Sequence, residues 1–167
     1  MKTFAAFLLA ACLVPSARAA EPVHTRLIGY YSNMKAEGAD DPHFLSGYNI
    51  ALYQHKAETL GHVSAAIGSP EPAHATVSTL TYDRKKKRLT FTARYSAGLD
   101  TNPVKGSPER EALKVLTFSG VVRAQSISGT VGVKDIYCSR CKPAFKRVTL
   151  KRIEEMGRTG QLQAFPQ

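Results

Sequence analysis

Cys138-Ser139-Arg140-Cys141 is the place in this chain where residue type and spacing together point to chemistry. Two thiols three positions apart can form a disulfide, run redox exchange, or give a metal two of its ligands. Thioredoxin-like redox enzymes set this spacing at the opening of a helix in a βαβ unit. Here Lys142-Pro143 and a strand-like run follow instead. A closed zinc site requires four ligands, so the cysteines would need two more. His43 and His74 are the candidates, on loops expected at the same end of the domain. The simplest expectation is a structural disulfide, Cys138–Cys141, pinning a hairpin turn, with no metal and no cofactor.

Two other clusters invite a functional reading. His55 and His62 flank an expected turn at Lys56 to Leu60 and would face each other across a hairpin. Paired imidazoles bind copper or zinc and titrate near neutrality. Arg84-Lys85-Lys86-Lys87-Arg88 is the densest charge run in the chain. Five like charges on one turn repel each other, and an anionic surface relieves that repulsion. Arg123, Lys151 and Arg152 are expected at the same end.

Catalytic templates are not met. The chain has no Gly-x-Ser-x-Gly elbow, no His-Glu-x-x-His and no phosphate loop. Ser32-Asn33-Met34-Lys35 has the Ser-x-x-Lys spacing of penicillin-recognising enzymes but neither their further motifs nor their large helical domain. Asp40 and Asp41 are adjacent, not a spaced pair suited to acid–base work. No enzymatic activity is expected.

Residues 1–19 have the three parts of an export signal. Lys2 gives the positive start, Thr3 to Val14 an apolar core broken by Pro15, and Ala17-Arg18-Ala19 the small-x-small cleavage pattern. Cleavage would leave a mature chain beginning at Ala20, periplasmic or secreted. Leu9-Ala10-Ala11-Cys12 also resembles a lipobox, which would anchor the protein through a lipid on Cys12. Against this, apolar Leu13 and Val14 carry the hydrophobic core past the cysteine. No later stretch is apolar for long enough to form a transmembrane helix.

Removing nineteen residues from 167 leaves 148, enough for one domain with a proper core. Without Lys2 and Arg18, 21 Lys and Arg face 13 Asp and Glu, a formal charge of +8. That excess favours anionic envelope surfaces such as lipid head groups, lipopolysaccharide or acidic glycans, or an envelope protein. The export signal argues against nucleic acid as a partner.

The elements that must position these residues read as strands. Arg26–Ser32, Gly47–His55, His62–Gly68, Thr76–Asp83, Arg88–Tyr95, Leu113–Val122, Ser126–Lys134 and Phe145–Arg152 are short runs separated by turn residues. Leu89, Phe91, Ala93 and Tyr95 alternate with Thr90, Thr92 and Arg94, the pattern of a half-buried strand. Leu60-Gly61 is read as a turn. Phe118-Ser119-Gly120 and Ile127-Ser128-Gly129 predict a hairpin whose glycines stand where backbones crowd. The expected fold is all-β: a single small antiparallel up-and-down barrel of about eight strands over residues 20–152, followed by a tail, 153–167. A two-sheet sandwich is the alternative.

The pattern resembles avidin-like and lipocalin-like barrels in architecture alone. The chain has no tryptophan, so the Gly-x-Trp of lipocalins and the aromatic cage of biotin binders are both missing. Up-and-down order gathers the long loops at one end: those around Asp40–His43, Ser69–His74, Ser96–Glu111 and Tyr137–Lys142. The short turns and the basic run fall at the other. Barrel mouths are where ligands bind, so the expectation is a binding protein that recognises its ligand, glycan or protein partner at the long-loop end. A metal- or thiol-dependent enzyme using Cys138 and Cys141 is the alternative.

Overall fold

The computed structural model describes residues 25–37, 44–100 and 110–154. The leader, His43, Asp40, Asp41 and most of the tail lie outside the described residues. Nine strands follow in order: β1 (Thr25–Ser32), β2 (Lys35–Ala36), β3 (Leu45–His55), β4 (Glu58–Ser69), β5 (Ala73–Asp83), β6 (Arg88–Asp100), β7 (Arg110–Val122), β8 (Ser126–Asp135) and β9 (Ala144–Arg152). No helix occurs among the described residues. Each long strand pairs antiparallel with the next, and β1 pairs with both β3 and β9. The sheet therefore closes into an eight-stranded up-and-down barrel, with β2 a short extra strand along β3.

Alternation decides which face turns inward. On β6, Leu89, Phe91, Ala93 and Tyr95 are all buried, while Thr90 and Arg94 are exposed and Thr92 is half-exposed. The same parity puts Ile50 and Leu52 of β3, Leu116 and Phe118 of β7, and Val148 and Leu150 of β9 in the core. Phe91 and Phe118 are register partners and stack with ring centroids 5.3 Å apart. The interior is thus filled by side chains through most of its length. An apolar inside and a Thr- and Arg-bearing outside reverse the pattern of a membrane-spanning barrel.

The β7–β8 hairpin needs two glycines. Gly120 and Gly129 are register partners. A Cβ on Gly129 would stand 2.6 Å from the Gly120 Cα and 2.7 Å from the Phe118 ring. No side chain fits there, which is why the repeated Ser-Gly phrase occurs.

The β3–β4 connection corrects the sequence reading. Strand β4 starts at Glu58, and the chain reverses in a two-residue turn at Lys56-Ala57, not at Leu60-Gly61. Lys56 sits in the left-handed region, φ +53°. Gly61 is a mid-strand position whose missing side chain leaves room for the Leu80 methyl of β5.

Closure is uneven. β1 meets β9 only at Tyr31↔Arg152 and Ser32↔Lys151. Arg152 reinforces this join by donating from Nη1 to the Ala124 carbonyl and from Nη2 to the Ile28 carbonyl, each at 3.2 Å. β4 meets β5 over three residues, Val63↔Ala75, Ser64↔His74 and Ala65↔Ala73. Beyond them the two strands separate toward the basic end, leaving a cleft of about 1030 Å³ in the barrel wall beside Leu60 and Thr79.

Candidate functional site

The long-loop end carries an open mouth above the packed core. Its main cavity, about 530 Å³, is lined among others by Asn33, Tyr48, Lys114, Val133, Asp135 and Lys146. That volume lies in the range of small-molecule sites.

Local sequence builds this rim. Asn33 follows β1 and accepts the Tyr48 N–H on Oδ1 at 2.8 Å, while its own N–H donates to the Tyr48 carbonyl at 3.1 Å. This pair of hydrogen bonds fixes Tyr48 in the first part of β3. Gly47 lies between, at φ +129°, and a Cβ there would come within 2.6 Å of the Asn33 carbonyl. Lys114 and Asp135 continue the inward parities of β7 and β8 past Leu116 and Val133. They are register partners and form an ion pair, Lys114 Nζ to Asp135 Oδ2, of 2.7 Å. Asp135 also accepts the Tyr137 N–H on Oδ1 at 2.8 Å. The Lys114 bond, with help from that N–H, holds the Asp135 carboxyl below its ordinary range. Arg110 stacks on the Tyr137 ring, its guanidinium carbon 4.4 Å from the centroid.

A second cavity of about 260 Å³ opens beside the first, between the β4–β5 loop and β6, with Ile67, Pro70 and Tyr95 in its lining. Tyr95 is buried, and among the described residues its hydroxyl has no hydrogen-bond partner. Burial, helped by nearby Tyr48, pushes this hydroxyl's pKa up to about 12. Burial also raises the Tyr48 hydroxyl. The sequence reading missed Lys114, Asp135 and Tyr95. Their signal is a polar group continuing an apolar alternation to the end of a strand.

The residues singled out from sequence are scattered. Cys138 and Cys141 sit in the β8–β9 loop at the mouth and are joined, Cα–Cα 5.2 Å. His74 is on the outer face of β5, where Nδ1 lies 3.1 Å from Nε2 of His62. His43 lies outside the described residues. His55 and His62 do not face each other: His55 opposes Glu58 and His62 opposes Ala51. His55 Nδ1 instead meets the Thr25 hydroxyl at 2.9 Å. The expectation failed because the turn is at residues 56 and 57, which shifts His62 along the strand.

Arg84, Lys85, Lys86, Lys87 and Arg88 form the exposed β5–β6 turn at the opposite end, Arg88 opening β6 against Asp83. Asp83 accepts the Lys86 N–H at 2.9 Å and shapes the turn. Lys87 takes φ +53° there. Arg123 and Lys151 share this end and are exposed, whereas Arg152 is tied to the backbone as described.

Among the described residues no group of three or more His, Cys, Asp or Glu converges. Comparison with family models, with characterised proteins and with solved structures finds no match to this chain.

Proposed function

We propose that this chain is an exported, non-enzymatic binding protein, periplasmic or secreted. Its barrel mouth takes a small polar ligand or the tip of a glycan, and its opposite end rests on anionic envelope surfaces. The mouth carries the reading. Above a core filled by its own side chains, a cavity of about 530 Å³ presents a tyrosine, a lysine–aspartate pair and Lys146 at its wall. Aromatic faces and fixed charges around a shallow cavity suit hydroxylated or anionic ligands, which keep some contact with water. The disulfide gives no support to thiol or metal chemistry at Cys138 and Cys141, since joined sulfurs are neither nucleophiles nor thiolate ligands.

The test is a nuclear magnetic resonance screen of the mature domain against acidic and neutral oligosaccharides. Binding should shift the resonances of Tyr48, Lys114 and Val133 and be lost in Tyr48→Ala and Lys146→Glu. Shifts confined to other surfaces would overturn the mouth as the site. Anionic vesicles should bind the wild type and release it when Arg84 to Arg88 are neutralised together. Vesicle binding that survives that change would remove the basic turn from the reading.

A further inference from the structure

The geometry points to a two-histidine transition-metal site on the outer wall of the barrel, formed by His62 of β4 and His74 of β5, with Cu(II) the preferred ion. The sites already described are elsewhere: the mouth is formed by other residues, and the cysteines are joined to each other.

Three observations carry it. First, the two ring nitrogens, His62 Nε2 and His74 Nδ1, are 3.1 Å apart, with ring centroids at 5.1 Å and planes inclined by 50°. Nitrogens bound at about 2.0–2.1 Å lie roughly 2.9 Å apart in a square-planar site and roughly 3.3 Å apart in a tetrahedral one. The observed separation falls between these, so the two nitrogens already stand at a chelating distance, and a metal replaces the shared hydrogen once each ring tilts its lone pair from the other nitrogen toward the ion. Second, the rings are held by strands, not loops. His74 pairs in register with Ser64, and His62 with Ala51, so both Cα positions are set by the ladder. Sites on regular elements hold their geometry more accurately than sites on loops. Third, the rings differ in exposure: His62 is half-buried and His74 exposed, so an ion has a route in from solvent.

Imidazole suits Cu, Zn, Fe and Ni, and among divalent ions at a given nitrogen site Cu(II) binds most tightly. Since no third His, Cys, Asp or Glu joins the pair among the described residues, water would fill the remaining positions and the ion would exchange readily. The pair bridges β4 and β5 where their three-residue ladder runs out beside the wall cleft, so a bound ion would also clip that join.

The experiment is titration of the mature protein with Cu(II), then Zn(II), by calorimetry, with the electron paramagnetic resonance spectrum of the Cu(II) form. The expected result is one Cu(II) per chain, a spectrum showing two imidazole nitrogens, and a weaker Zn(II) isotherm. His62→Gln and His74→Gln should each abolish the two-nitrogen signature and weaken binding at least tenfold, while His55→Gln leaves both unchanged. Cu(II) should raise the thermal midpoint of the wild type and of His55→Gln alone. His74 is exposed, so its variant should keep the fold even if His62→Gln does not. The assignment is overturned by no Cu(II) uptake, by a spectrum lacking two imidazole nitrogens, or by binding that persists unchanged in His74→Gln.

Discussion

Gly120 and Gly129 oppose each other across β7 and β8 so closely that neither can carry a side chain. A Cβ on Gly120 would lie 2.5 Å from the Phe118 ring and 2.8 Å from the Gly129 Cα. Since the second neighbour is backbone, the ring's adjustment alone gives no relief. Gly129→Ala should therefore destabilise the barrel by about 1–3 kcal/mol or more, the usual cost of overpacking. Urea unfolding followed by circular dichroism will measure it. A loss within experimental error would show that the two strands can part without penalty.

Tyr95 carries a hydroxyl that is buried and unpartnered among the described residues. Tyr95→Phe should raise stability by about 1 kcal/mol, because an unsatisfied polar group costs on that order to bury. The variant should also change the alkaline limb. Folding raises the Tyr95 pKa from its ordinary 10.0 to about 12. Between those values the unfolded chain releases a proton that the folded chain retains, so stability falls as pH rises, by at most about 1.4 kcal/mol per pH unit. Below pH 10 the group contributes no slope. Chemical unfolding at pH 8 and pH 11 should show a smaller drop for Tyr95→Phe than for the wild type.

Much of this was legible in the chain, and the exceptions share a cause. Leu89, Phe91, Ala93 and Tyr95 declare a half-buried strand because the side chains of β6 meet core on one face and water on the other. The Ser-Gly repeat marked crowding because only glycine tolerates it. Gly61 misled for the opposite reason: its emptiness serves Leu80 from another strand, which no local pattern reveals. His62 and His74 are a diagonal contact between strands, set by the register Ser64↔His74, and the turn before β4 stands four residues from where the glycine suggested. Lys114 and Asp135 carry no local signal of function, and the inward parity of β7 and β8 turns them toward the mouth.

Asp135 has its carboxyl pKa depressed, first by the Lys114 hydrogen bond and then by the Tyr137 N–H. A depressed folded-state pKa contributes stability above the unfolded pKa, and that contribution is lost as pH falls through the folded value. Asp135→Asn should accordingly be less stable than the wild type at pH 7, with a smaller deficit at pH 3. Denaturant midpoints at the two pH values test this. An equal deficit at both would mean that packing, not charge, is responsible.

Reduction of Cys138–Cys141 should be mild. The bond closes a four-residue loop, worth about 2 kcal/mol at most in chain entropy. Mild reductant should leave the far-ultraviolet spectrum unchanged and lower the unfolding midpoint modestly. Wholesale unfolding on reduction would show that the loop holds more of the mouth together than its length suggests.

The short β4–β5 ladder sets where β5 yields. Every second amide of a strand points toward one neighbour, so on β5 the amides that would reach β4 beyond Ala75 are the ones left to solvent. Deuterium should enter there first, in alternate positions, while the amides turned toward β6 stay protected by their own ladder. A closed cylinder has no preferred place to open; this one has two loosened seams, and thermal breathing of β5 will begin where its ladder to β4 stops.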